Sequence, residues 1–346
     1  MAKKALEIQM SKELELTEII QNTIKGKIKP IGSLGKLETL AQQIASVQVT
    51  SSNNNKLQIH NPHLLIFAGD HGIAKHNVSI APSDVTTLMV NCFLTGKAAI
   101  NSFIKDSDWQ LNVVDCGIQT ELPQHKHLIN ARLGNVCGDI SEESALTLAQ
   151  LAEAKSNAEP LISDLDTNLI GMGEMGIGNT SPASALFAKL FNLDVNDVVG
   201  VGTGINDKQL MHKQALIAKA IARVETQEPC EILRQLGSFE IATMTFAMLA
   251  AFKHNKLIIV DGFIVTASAA IALAIEPKLK SHLVFAHVSN EAAHKRILEK
   301  LNVSPLLDLS LRLGEGTGAA LSLPLIQAAI NFYNHMASFE DLGISL

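Results

Sequence analysis

A carboxylate flanked by glycines offers this chain its most evident chemistry. Glu315 lies in Arg312-Leu313-Gly314-Glu315-Gly316-Thr317-Gly318-Ala319-Ala320, just ahead of an apolar helical stretch. An acid there adds nothing to a core, whereas the glycines let the backbone bend tightly and a ligand come close. Alone, the run reads equally well as a turn with a solvated acid. A second run, Gly171-Met172-Gly173-Glu174-Met175-Gly176-Ile177-Gly178-Asn179-Thr180-Ser181-Pro182, leads from a strand into a helix. Pro182 suits a first helical turn and Thr180 or Ser181 a cap, so free N–H groups and the helix dipole would face an anion. Gly171, Gly173 and Gly176 satisfy the dinucleotide pattern G-x-G-x-x-G, but here it follows the third strand instead of the first. Gly173 to Thr180 also matches a nucleoside-triphosphate loop, except that Asn179 replaces the lysine that reaches the β and γ phosphates. A single phosphate is the better fit, with a tight helix–strand packing turn as the alternative. Lys213, on a helix beyond Gly202-Thr203-Gly204, is either a surface lysine or the cation for that phosphate. Glu174 and Asp261 end strands, where a purely structural acid is less common. Asp70-His71-Gly72 could edge a metal site, but no second His/Asp/Glu set has ligand spacing. Asp70 is therefore expected to fix loop geometry or a ribose. Met175, Met244 and Met248 are expected in the core.

The elements that must hold these residues alternate. Apolar runs at 63–67, 111–114, 168–171, 197–201, 256–260 and 282–286 are brief, rich in Val, Ile or Leu, and lack polar alternation. That is the signature of strands buried on both faces. Amphipathic stretches at 84–103, 144–154 and 208–224 separate them, which implies a parallel sheet covered by helices. Nearly every strand runs into flexible or polar residues at its carboxyl end, where open parallel sheets bind ligands. The stretch through Gln48 reads as helical with a turn at Lys29–Gly35, and 321–333 as a closing helix; Thr50 to Asn61 reads as an exposed linker. The fold class is α/β, a doubly wound, mainly parallel, Rossmann-like sheet over 61–299. Residues 1–60 and 300–346 are expected to form a small helical domain from both chain ends.

Composition narrows the function classes. With 346 residues, 47% hydrophobic and 18% charged, the chain can bury a sizeable core. Lys and Arg total 28 against 34 Asp and Glu, a net charge of -6, and no basic run is interleaved with aromatics. Nucleic acid is thus a poor candidate ligand. No apolar run is long enough to span a bilayer, and the first residues lack a signal peptide's apolar core. Cys92, Cys116, Cys137 and Cys230 are dispersed with no CxxC pair, as expected of reduced thiols in the cytoplasm.

Taken together, the motifs resemble those of the nicotinate-nucleotide–dimethylbenzimidazole phosphoribosyltransferases. The resemblance rests on Lys29–Glu38, Ala68–His71 with Val78-Ser79-Ile80-Ala81-Pro82, Gly173–Thr180, Gly237-Ser238-Phe239-Glu240, Asp261-Gly262-Phe263 and Arg312–Ala320, in that order. It implies a parallel α/β sheet with a small helical domain, a homodimer, and transfer of phosphoribose from nicotinate mononucleotide to an aromatic base, with no cofactor or metal. It implies that Glu315 is the catalytic base. It puts Glu174, Gly176, Gly178, Asn179, Thr180, Gly202, Gly204, Lys213, Asp261 and Ser289 at the nucleotide. Ala81, Met89 and Leu313 would border the aromatic base. Many members have Ser and Gln where Ala81 and Met89 align, so that pocket should be less polar here. The loop with Val201 and Asn206 varies among members, and Leu133–Gly138 matches poorly and receives no role. Rival readings are a transferase for adenine or a phenol, a non-catalytic nucleotide-binding protein, and a metal-dependent hydrolase using Asp70 and His71.

Overall fold

Six strands build one parallel sheet: β1 (His63–Gly69), β2 (Gln110–Gly117), β3 (Leu128–Asn130), β4 (Leu169–Met175), β5 (Leu257–Val260) and β6 (Leu283–Phe285). Their order is β3-β2-β1-β4-β5-β6 and every pairing is parallel, so the expected doubly wound α/β class is what forms. The computed structural model describes residues 2–49, 56–202 and 204–344, with side chains from residue 14 onward.

Burial on both faces explains the unbroken apolar runs. All seven residues of β1 are buried, and successive side chains point to opposite faces. Leu65 and Phe67 enter one core; Leu64 and Ile66 enter the other. Helices Leu148–Ser163, Thr180–Phe191, Phe239–Lys253 and Phe263–Ile275 cover the first face. Helices Lys36–Gln48, Asp84–Leu94 and Thr317–His335 cover the second, so the two ends of the chain meet on one side of the sheet. The chain winds outward from β1 to β3, then returns to β4 beside β1. At such a reversal the loops after neighbouring strands diverge and leave a crevice beyond their carboxyl ends.

Several sequence expectations are corrected. Residues 197–201 are not a strand: Val195–Val198 is a single helical turn, started by the Asp194 carboxylate accepting from the Asn196 N–H at 2.8 Å. Both edges of β4 are already taken by β1 and β5, so this apolar run packs as a turn. β3 has only three residues and was not read from sequence. The helix expected over 84–103 breaks into Asp84–Leu94 and Ala99–Phe103, because Gly96 adopts φ +74° and the Thr95 hydroxyl bonds back to the Asn91 carbonyl. The helix expected from 144 begins at Leu148, where Thr147 and Gln150 form a reciprocal cap. The last helix begins at Thr317, not at 321. The first part of the expected linker, 50–55, lies outside the described residues. Leu57, by contrast, is buried, and its N–H donates to Asn334 Oδ1.

Candidate active site

Beyond the carboxyl ends of β4, β5 and β6 a cavity of about 140 Å³ is walled by Glu174, Gly176, Asn179, Thr180, Gly202, Ser289 and Leu313. All were singled out in the sequence. Larger grooves exist elsewhere, such as one of about 550 Å³ beside Lys36, Gln43 and Lys280, but no acids from separate strand ends converge on it.

One wall is the turn that enters helix Thr180–Phe191. Asn179 is its N-cap residue, in place of the expected Thr180 or Ser181, yet its side chain makes no cap hydrogen bond. The amide instead donates to Glu174 Oε2, which orients that carboxylate and leaves the helix end and its dipole open to an anion. Beneath the same turn Lys213 is 0% exposed. Its ammonium donates to Thr180 Oγ1 at 2.7 Å and to the Gly200 carbonyl at 3.3 Å. Burial lowers its pKa from 10.5 to about 8, opposed by the Glu291 charge. Lys213 is therefore no surface lysine. Gly178 is buried within the turn, and Gly204 lies exposed at the end of the loop that carries Gly202.

The turn is held from behind by a network that sequence reasoning did not assemble. The Ile177 N–H donates to Thr86 Oγ1 at 3.1 Å, and the Ile177 carbonyl faces His71 Nδ1 at 3.1 Å. His71 Nε2 faces Glu240 Oε1 at 2.9 Å, and Ser238 Oγ donates to that same oxygen. A carbonyl and a carboxylate both accept, so the His71 ring carries both protons. Burial pulls the His71 pKa down, but the Glu240 charge and hydrogen bond, with Asp70, leave it raised. Asp70 Oδ2 accepts from the Gln119 N–H at 2.7 Å, which makes it a fastener of loop geometry. Removing one partner of a buried pair strands the other; about 3–5 kcal/mol is the usual cost. The E240A variant should therefore lose several degrees in Tm, as thermal unfolding would show. A raised His71 pKa means its contribution is complete below the unfolded value of 6.5 and is lost as pH rises through the folded one. The Tm difference between wild type and E240A should therefore shrink toward alkaline pH.

Asp70 and His71 thus belong to a structural network. Among the described residues, His76, Asp139 and Glu142 alone bring three candidate metal-ligand atoms within reach of one another. There the Lys75 ammonium already lies 3.1 Å from Asp139 and 3.2 Å from Glu142.

The third wall leads to Glu315. Gly314, Glu315 and Gly316 all lie in the left-handed region, with φ of +82°, +63° and +77°. For the two glycines this is free; for Glu315 it stores strain. The glycines also let this turn lie directly on β4. A Cβ on Gly173 would overlap the Gly316 backbone, and one on Gly314 would overlap the Glu174 carboxylate. Glu315 is 5% exposed and its Oε2 has no partner. Burial raises its pKa, a backbone hydrogen bond from Ile100 opposes this, and the Asp261 charge adds to the rise. Glu315 does not wall the 140 Å³ cavity itself. It sits beside it, turned toward the start of helix Ala99–Phe103. Met89 and Met175 pack against the apolar cluster that contains Ile100, while Ala81 is half-buried just ahead of helix Asp84–Leu94. Leu313, over half exposed, forms the rim.

Glu174 concentrates the site's electrostatics. Burial, then the charges of Asp261 and Glu240, push its pKa to about 8, and Glu315 adds to the rise. Asp261, Glu240 and Glu315 come from three other segments and act on Glu174, the one of these four acids that lines the cavity, a setting that favours a cationic ligand. Glu291 and Arg312 also line the cavity; Glu291 carried no sequence signal, since it follows β6 within an ordinary polar loop. His287 lines it too.

Comparison with known proteins agrees with this geometry. A sequence model described as a phosphoribosyltransferase family matches residues 10–344. A nicotinate-nucleotide–dimethylbenzimidazole phosphoribosyltransferase from Photobacterium profundum is 47% identical over 332 residues, covering 94% of this chain and 96% of the relative. One so named from Shewanella sp. (strain ANA-3) is 50% identical over 332 residues, 94% of each chain. The crystal structure of CobT from Thermus thermophilus superposes with a TM-score of 0.90 at 35% identity, covering 96% of this chain and 99% of that one. Among the described residues no helix is long and apolar enough to cross a membrane.

Proposed function

Because the chain belongs to this phosphoribosyltransferase family, we propose that it transfers phosphoribose from nicotinate mononucleotide to 5,6-dimethylbenzimidazole or a related base. The products are α-ribazole 5′-phosphate, the lower-ligand nucleotide of cobalamin, and nicotinate. The observation that carries this reading is Glu315, a buried acid with an unpartnered oxygen on a strained turn beside the nucleotide cavity.

The roles follow from chemistry. The open end of helix Thr180–Phe191, with Gly176, Gly178, Gly202, Gly204 and the Lys213 ammonium, takes the 5′-phosphate. Glu174, Asn179 and Ser289 face the sugar and the ring of the mononucleotide. That ring is a pyridinium, and positive charge grows on the sugar as the glycosidic bond loosens. Acids packed around the crevice stabilise both. The leaving group departs as neutral pyridine with its carboxylate, so it needs no proton. The acceptor attacks the anomeric carbon through one ring nitrogen from the opposite face, which inverts that centre. Its other nitrogen still bears a proton, and Glu315 removes it, so no cation is left on the product. Ala81, Met89 and Leu313 offer this acceptor an apolar bed. The reading includes a homodimer working in the cytoplasm, with the chain ends forming the small helical domain.

The test is to incubate the protein with nicotinate mononucleotide, with and without base, and to follow nicotinate and product mass. Nicotinate should appear only when base is supplied, at an undiminished rate in chelator. Mononucleotide binding without turnover on any base would overturn the reading, and loss of activity in chelator would remove its metal-free chemistry.

A further inference from the structure

We infer that Asp261 acts as the positioning residue for Glu315, holding the strained turn in register from beneath instead of touching the nucleotide. This rests on the reading of Glu315 as the base. Asp261 follows β5, is 1% exposed, and does not wall the cavity. Both its oxygens are engaged by main chain. Oδ2 accepts from the Gly316 N–H at 3.1 Å and Oδ1 from the Ala319 N–H at 3.0 Å. It therefore caps helix Thr317–His335 from another strand, a helix whose own N-cap residue, Gly316, has no side chain to do so.

The geometry ties that cap to the reactive acid. Gly316 is the residue directly after Glu315, and a left-handed conformation at a non-glycine persists only where its surroundings over-determine it. Asp261 fixes the turn on one side. The Thr317 hydroxyl fixes it on the other, donating to the Gly314 carbonyl at 2.8 Å. Gly318 lets the helix start lie flat on this anchor, since a Cβ there would overlap the Asp261 carboxylate and the His287 ring. His287 Nε2 stands 3.8 Å from Asp261 Oδ1. Without the anchor, Glu315 is free to relax out of the left-handed region and away from the acceptor's N–H.

An Asp261→Asn variant keeps the shape but turns an amide N–H₂ toward backbone donors. A positioning role predicts that kcat falls about 30-fold or more, while the Kd for nicotinate mononucleotide stays within about threefold. Residues acting through one another are non-additive, so D261N placed in an E315Q background should cost less than about threefold more. T317V, which loosens the other side of the turn with little change in volume, should lower kcat about tenfold with Tm retained; it carries the test if D261N fails to fold. A D261N protein with unchanged kcat and a much weaker Kd, or effects of D261N and E315Q that multiply, would overturn the inference. E315Q alone retaining activity within tenfold would instead overturn the base role beneath it.

Discussion

Replacing Glu315 with glutamine is expected to lower kcat by about 10²–10⁴-fold, the range a positioned general base supplies. The KM for nicotinate mononucleotide should move little, because the residue lies beside the nucleotide cavity and not in its wall. The pH profile sharpens the test. Burial and the Asp261 charge raise the pKa of Glu315, and only its ionised form can take the acceptor's proton. Wild-type kcat should therefore climb with pH on the acid side, along a limb displaced toward neutrality, and E315Q should lack that limb. Stability separates this from unfolding. A carboxyl whose folded pKa is raised favours the folded state below its unfolded value, and that advantage is lost as pH rises through the folded one. At neutral and alkaline pH the charged Glu315, with one oxygen unpartnered, thus burdens the fold, and E315Q should match or exceed the wild-type Tm. A loss smaller than tenfold, with the acid limb intact, would remove Glu315 from the chemistry.

What the sequence disclosed divides along a physical line. Strands β1, β4 and β5 were legible because burial on both faces removes polar alternation, and the same condition made their strand-end acids Glu174 and Asp261 conspicuous. The glycine runs were legible because close backbone approach tolerates little else, as Gly173 against Gly316 demonstrates. What stayed hidden depends on distance along the chain. His71 and Glu240 are 169 residues apart, and no local pattern announces that they clamp the turn at Ile177. The apolar run at 197–201 misled because hydrophobicity reports burial, whereas forming a strand also needs a free sheet edge. Asp194 supplied a competing helical start. Lys213 was undecided in sequence since helix periodicity alone does not say that a lysine's head is sealed beneath a neighbouring loop.

That sealed lysine is the clearest case where function and stability oppose each other. Lowering its pKa from 10.5 to about 8 means the folded protein holds the charged form at a penalty of roughly 3 kcal/mol below that pH. The penalty begins to fall as pH rises through about 8, where the buried amine goes neutral, and is gone only above the unfolded value of 10.5. Thr180 Oγ1, the Gly200 carbonyl and the Glu291 charge offset part of that penalty, and on the proposed reading the ammonium is kept to meet the phosphate of the mononucleotide. Lys213→Met should accordingly raise the KM for nicotinate mononucleotide by about 10–150-fold, the scale of a lost charged hydrogen bond, with a smaller effect on kcat. At pH 7 it should also raise Tm, by about 2–5 °C, because a neutral side chain fills the same space. Titration links the two effects with opposite signs. Between about pH 7 and 9 wild-type Tm should gain while its affinity for the mononucleotide declines, since the proton that binds phosphate is the one the fold resists. K213M should show neither trend. An unchanged KM would mean that the ammonium serves only Thr180 and the Gly200 carbonyl, and the phosphate would then have to be held by main-chain N–H groups alone.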